Sequence, residues 1–169
     1  MPFTPFHVGL GAALHAAAPK RISFLAFCVA NVVIDVEPLV FILRQDPPLH
    51  RFFHTIVGAL VVAVASTALI LSLRWLVCRR YADQQRRWPS SGAVAMGALL
   101  GTLSHVALDS LMHRDLRPFA PWSEANPLLG LVSHDALHLG CLVSGALGAA
   151  VIGWQHWAIR NERQHDAEK

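Results

Sequence analysis

Residues 56–73 (IVGALVVAVASTALILSL) run for eighteen positions without one charged side chain. A bilayer core of ~30 Å needs about 20 apolar residues in a helix to cross it, so this run constrains the chain more than any motif does. Four other apolar stretches accompany it. Residues 22–43, 92–112 and 136–154 are long enough to span, and residues 5–18 are shorter and rich in Gly and Ala. The composition agrees: 54% of residues are hydrophobic and only 15% charged, against roughly 25% charged in soluble domains. The expected fold is an all-α integral membrane bundle of about five helices, four spanning plus a short N-terminal helix. One membrane-embedded domain is expected over 1–159, with a polar cytoplasmic tail over 160–169. The length excludes a large multidomain enzyme, and the low charge excludes a disordered chain.

The basic residues set the expected orientation. Lys20, Arg21, Arg74, Arg79, Arg80, Arg86, Arg87, Arg160, Arg163 and Lys169 fall at one set of helix ends, and Arg44, Arg51, Arg114 and Arg117 at the other. The positive-inside rule puts the first set, and the C-terminus, in the cytoplasm. Basic residues scattered between apolar runs fit this rule better than they fit nucleic acid, so no nucleic-acid partner is expected. The opening MPFTPFHVG has no basic region before it, so no cleaved signal peptide is expected. Cys28, Cys78 and Cys141 are far apart and set among apolar residues, which makes neither a CxxC pair nor a zinc ribbon.

Ten histidines against one tyrosine are the anomaly. On the expected topology His7, Asp35, Glu37, His50, His54, Asp109, His113, His134 and His138 gather near the outer ends of their segments, with His105 a turn or two deeper. His105, Asp109 and His113 stand at i, i+4, i+8, which stacks three ligands on one helix face. The pairs His50/His54 and His134/His138 repeat the i, i+4 spacing. Imidazole with carboxylate suits zinc, iron or manganese. An intramembrane Asp109 left in lipid costs about 2.5–3.5 kcal/mol on an insertion scale, so it is expected to face the bundle interior. Asp35, His50, His105 and Asp109 are the leading ligands. Glu37 is a partner of a ligand, a base, or a solvated helix end; His54 is a ligand or a backbone partner. His15, His156 and His165 fall on the cytoplasmic side and carry no assigned role. The loop 113–127 is expected to be a rigid extended connection with Trp122 at headgroup level.

MPFTPFHVG, NVVIDVEP, LHRFFHT and SHVALD, in that order and over residues 1 to about 140, resemble the YdjM-like inner-membrane metal-dependent hydrolases. That group is related to the zinc-dependent phospholipase C and fungal zinc nuclease superfamily. The resemblance implies a helical bundle holding up to three zinc ions. It implies that His105 and Asp109 form the HxxxD motif, with Asp109 bridging two metals, and that Asp35 and His50 form an Asp–His pair. It also implies that His113, His134 and His138 form a later triplet. His7 would act with the amine of Pro2 after loss of Met1. Two departures stand out: HRFFHT is one residue shorter than the family's HRxxTHS, and His138 replaces an acid.

The expected function is hydrolysis of a phosphoester, in a phospholipid or a lipid-linked phosphate, by a metal-activated water. Asp35 or Glu37 would guide its proton, and Arg51, Arg114 and Arg117 would hold phosphate through the bidentate guanidinium fork. One to three divalent ions, Zn2+ foremost, are the expected cofactor, and membrane lipid the expected partner. No GxSxG or GxxxxGK[ST] motif supports a serine hydrolase or a P-loop enzyme. An ion or metal transporter using the same ligands is the alternative; it needs a second polar layer, hinted at only by Ser66, Thr67 and His15. A haem bundle explains the histidines but not Asp35 and Asp109.

Overall fold

The computed structural model describes residues 5–81 and 88–167. These residues form α1 (Pro5–Ala17), α2 (Phe24–Ile34), α3 (Val36–Arg44), a one-turn 3-10 helix (Phe52–His54), α4 (Ile56–Arg80), α5 (Ser91–Ser110) and α6 (His134–Ala167). No strand occurs among them. Four segments are long and apolar enough to cross a membrane: Phe24–Arg44, Ile56–Arg80, Ser91–Ser110 and His134–Glu162. With the shorter apolar α1, this is the expected all-helical bundle. α6 continues through the stretch expected as a polar tail. At 1.5 Å per residue it is roughly 50 Å long, more than a bilayer core requires. Arg86, Arg87 and Lys169 of the basic set, and Met1 and Pro2 at the other end, lie outside the described residues.

α5 is the centre of the bundle, packed against α2 and α4, while α1 is held mainly by α6. Two buried clusters fill the space between α2, α4 and α5. Ala26, Ala30, Ile70, Val94 and Ala98 form one, and Ile34, Ala59, Val62, Val106 and Leu116 the other. Small residues bring the backbones close: a Cβ on Gly101 would stand 2.7 Å from the Phe27 carbonyl. Such contacts drive helix association in lipid, where burial of apolar surface from water does not. The outer faces stay apolar and exposed, with Leu60, Val64 and Leu69 on α4 and Leu139, Leu142, Leu147 and Val151 on α6. An apolar exposed surface this extensive is a lipid-facing one.

Local chemistry explains the breaks. The second apolar run divides at Asp35 because Pro38 has no N–H to give the Ile34 carbonyl, and its ring would crowd that carbonyl. The divide turns Asp35 away from a continuous helix at the end of α2. The Thr55 hydroxyl accepts from Gly58 N at 2.9 Å and donates to the Phe52 carbonyl at 2.8 Å, locking the 3-10 turn onto the start of α4. Ile56 N donates to the Pro118 carbonyl at 2.9 Å, which ties in the loop after α5. That loop is not the extended segment expected. It is a run of turns, closed by Ala120 N to the Arg117 carbonyl (3.2 Å) and Trp122 N to the Phe119 carbonyl (3.0 Å). Its prolines fix φ at values that turns share with extended chain, so they do not distinguish the two.

The helix at Gly58 passes directly under that 3-10 turn, where an added Cβ would collide with the Phe52 carbonyl. Gly58→Ala is expected to cost about 1–3 kcal/mol of stability and to weaken any divalent-cation binding that involves His54, because the displaced turn carries that residue. Gly92→Ala, with open space at its Cβ, is expected to change neither. Thermal unfolding in detergent and Zn2+ titration of both variants check this.

Candidate metal centre

The ends of α1, α2 and α5, the 3-10 turn and the adjoining loops meet at one end of the bundle, and their polar side chains converge on Asp109. This carboxylate is 3% exposed. His105 Nε2 approaches it at 3.3 Å, His54 Nε2 at 3.7 Å, His50 Nε2 at 3.9 Å, His7 Nε2 at 3.3 Å and His113 Nε2 at 3.9 Å. Asp35 joins from the end of α2, with its Oδ1 3.2 Å from His105 Nε2 and 3.7 Å from His54 Nε2. The rings themselves are packed face to tilted face: His7 lies 4.4 Å from His105, and His50 4.4 Å from His113.

Two ligand groups follow from these contacts. Asp35, His54, His105 and Asp109 form one, His50, Asp109 and His113 the other, and within each group the donor atoms lie within 4.8 Å of one another. Asp109 belongs to both, as a bridging carboxylate would. His50 and His54 therefore do not compete for one place; each enters a different group. Three of the inward-facing donor atoms here are buried without a hydrogen-bond partner: His54 Nε2, His105 Nε2 and Asp109 Oδ1. Orphaned buried polar atoms are rare and costly. Imidazole nitrogens and carboxylate oxygens that face one another at 3.2–3.9 Å without hydrogen-bond geometry are what a divalent cation between them would satisfy. The residues present fit a metal.

The histidines are backed from outside. His50 Nδ1 donates to Asp115 at 3.0 Å, and Asp115 also accepts from the backbone N–H of Leu49 and His50. His105 Nδ1 lies 3.0 Å from Asn31 Oδ1. Glu37 accepts from Phe53 N at 2.8 Å and stands 3.8 Å from His54 Nδ1, on the ring edge away from Asp109. Each backing group leaves Nε2 directed inward, the arrangement that orients metal-binding histidines. Asn31 and Asp115 were not among the expected site residues. Asn31 had a signal, since it stands four residues before Asp35 inside an apolar run. Asp115 had none beyond its place next to Arg114 in a charged loop.

Electrostatics sort the groups outside the spans. Burial pulls the His54 imidazole down, but its contacts with Asp35 and Glu37 outweigh this and leave it raised. Burial lowers the His113 imidazole, against the pull of Asp109 and with His50 adding to the effect. Burial pushes Asp115 up, yet its bonds with His50 hold the carboxyl below its usual range.

Other expected residues lie elsewhere. His134 is exposed at the start of α6 and belongs to neither group. His138 stacks on Phe6, ring centres 4.5 Å apart, and its Nε2 is buried without a partner. The amine of Pro2 lies outside the described residues. Arg51 is tied to Asp46 at 2.9 Å and to the Pro48 carbonyl at 3.0 Å, and its guanidinium lies over Phe41. Arg117 pairs with Glu124 at 2.8 Å, and Arg114 is exposed. Arg51 and Arg117 still share with His50, Asp115, Phe52 and Pro121 the lining of a cavity of about 580 Å³ beside the cluster.

The chain matches the YdjM inner membrane protein family over residues 1–164, and it belongs to that family. No curated protein and no solved structure is matched by it. It is a multi-pass membrane protein whose His/Asp cluster has the donors to hold a metal ion.

Detergent-purified wild type is expected to carry at least about one divalent ion per chain, since the donor set suits zinc. Asp109→Ala and His105→Ala are expected to lose it, read by elemental analysis. Because His54 is raised, a proton competes with the cation for its ring. Zn2+ affinity should therefore rise with pH through the histidine range and fall in acid, with protons released on binding. Calorimetry in buffers of different ionisation enthalpy counts them.

Proposed function

We propose that this protein is a membrane-embedded, metal-dependent hydrolase acting on a phosphoester of a phospholipid or lipid-linked phosphate. The observation that carries the proposal is that the second ligand group opens, through His50, onto a cavity that Arg51 and Arg117 also line. A group with four protein donors is nearly closed, whereas one with three leaves room for a reactant. When bound, Zn2+ or a similar ion supplies Lewis acidity and a water that is nucleophilic near neutral pH.

The chain's own residues would do the rest. Asp35, half-exposed at the cluster edge, is placed to accept a proton. Glu37 lies behind His54 and holds the turn that carries it through Phe53 N, which makes it a positioning residue more than a base. Arg117, exposed on the cavity wall, offers its fork to a phosphate once it exchanges Glu124. Arg51 is already committed to the Asp46–Pro48 turn and shapes the wall. Trp122, 79% exposed near the same end, is suited to the headgroup layer. The basic residues at the far end support an outward-facing cluster and a cytoplasmic C-terminus. The HxxxD pair His105/Asp109 supports kinship with the zinc-dependent phospholipase C superfamily.

The transporter alternative gains less support. Thr67 donates to the Ala63 carbonyl at 2.7 Å and His15 bonds the Ile22 carbonyl at 2.7 Å, so both serve their own neighbourhood. Ser66 alone remains of the second layer. Vesicles containing phosphoester lipids are the test. Wild type is expected to release the headgroup or phosphate, to stop with chelator and to resume with Zn2+. His113→Ala should lose more than the ~10–100-fold typical of an outer-shell partner, and Arg117→Ala should act mainly on KM. Zn2+ flux across vesicles without any lipid cleavage would favour the transporter instead.

A further inference from the structure

Asn31 is wholly buried on α2, one turn before Asp35, and the proposed chemistry makes no direct use of it. Its amide has partners on both sides. Nδ2 donates to the Phe27 carbonyl at 2.9 Å and to the Gly101 carbonyl at 3.3 Å. Carbonyls only accept, so the NH2 group must face them and Oδ1 must face His105. Oδ1 is itself an acceptor, 3.0 Å from His105 Nδ1, so that nitrogen must carry the proton. A neutral imidazole has one N–H. Once a cation displaces any second proton from the ring, the lone pair is left on Nε2, which stands 3.2 Å from Asp35 Oδ1 and 3.3 Å from Asp109 Oδ2.

We infer that Asn31 is a positioning residue that commits His105 to its Nδ1–H tautomer and so assigns Nε2 to the bound cation. The tautomer rests on hydrogen bonding alone, and the cation on the metal-dependent reading above. The geometry depends on close helices. A Cβ on Gly101 would come within 3.1 Å of Asn31 Nδ2, so a larger residue there would disturb the bridge between α2 and α5. Asn31 and Asp35 are i, i+4 on α2, and Gly101 and His105 are i, i+4 on α5. The two pairs face each other, and one amide spans the gap. An aspartate at 31 would set an anion against two carbonyls, and a leucine would leave Nδ1–H unpaired. Only an amide supplies donors toward the backbone and an acceptor toward the ring.

The test uses full-length protein in detergent with 15N-labelled imidazoles, as wild type, Asn31→Leu, His105→Ala and the double variant. NMR of metal-free wild type is expected to show a proton held on His105 Nδ1. Loading with Zn2+ should then shift Nε2 as the bound nitrogen. Asn31→Leu should spread the proton over both nitrogens and weaken Zn2+ binding ~10–100-fold, the usual cost of losing an outer-shell partner. The same substitution in the His105→Ala background should weaken it no further. A wild-type His105 with a bare Nδ1 overturns the inference. So does an Asn31→Leu protein that melts earlier yet keeps the wild-type nitrogen signature and Zn2+ affinity, since Asn31 is then only a helix brace. A wild type that holds the Nδ1 proton but takes up no Zn2+ supports the tautomer assignment and overturns the metal-dependent reading alone.

Discussion

The buried carboxylate of Asp109 is the constraint on which the rest of this structure depends. An anion at the end of a membrane helix has lost its water and cannot be left against lipid. Among the described residues, every ion-pair partner it has is a histidine. An arginine or lysine would have neutralised it permanently and ended its chemistry. Imidazoles do so only by taking a proton, and they give that proton up to a metal ion. The site is therefore held between two ways of satisfying the same charge, and both require the rings to stay where they are.

Helix ends, more than helix faces, supply that rigidity. His7 opens α1, Asp35 marks the divide between α2 and α3, His54 ends the 3-10 turn and Asp109 lies one residue from the end of α5. A helix end is where backbone groups lack intrahelical partners, so side chains and loops are drawn in to satisfy them. The Thr55 cap fixes the turn bearing His54, and Asp115 takes two backbone N–H groups while orienting His50. The apolar core needs only to hold three helices together beneath this layer. Ile34, Val62 and Val106 do so directly under the site.

The spans and the gathering of histidines were legible in the sequence because lipid and helix geometry impose periods that a chain must show. Length and charge identified the crossing segments, and the i, i+4 spacing of His105 and Asp109 survived folding as one face of α5; His113, expected on the same face, lies past the end of that helix and reaches Asp109 from the following turn. What was not legible depends on rotation and reach. His134 and His138 share the same spacing and the same level, yet α6 packs on α1 and leaves His134 exposed and His138 against Phe6. Spacing along a helix says which residues share a face, not which way that face turns. Asn31 escaped notice because a single amide in an apolar run resembles ordinary helix-packing glue. Asp115 and the turns of residues 113–127 depend on contacts between loops, which no period encodes.

The charge balance of the cluster connects its two halves to the proposed chemistry. Asp35 and Asp109 with two neutral imidazoles, His54 and His105, sum with one divalent ion to zero. Filling the first group thus removes the net charge from the most buried part of the protein, where charge costs most. The second group adds His50 and His113 but only a share of Asp109, so a second divalent ion there would draw the rest of its balance from carboxylates behind the rings, Asp115 against His50 and Glu37 against His54. Those two stand one residue further from the ion than a direct ligand does. On the proposed function, then, the first ion completes the fold of the site, and the second, balanced only from behind its ligands, is the one that faces the cavity where Arg117 stands.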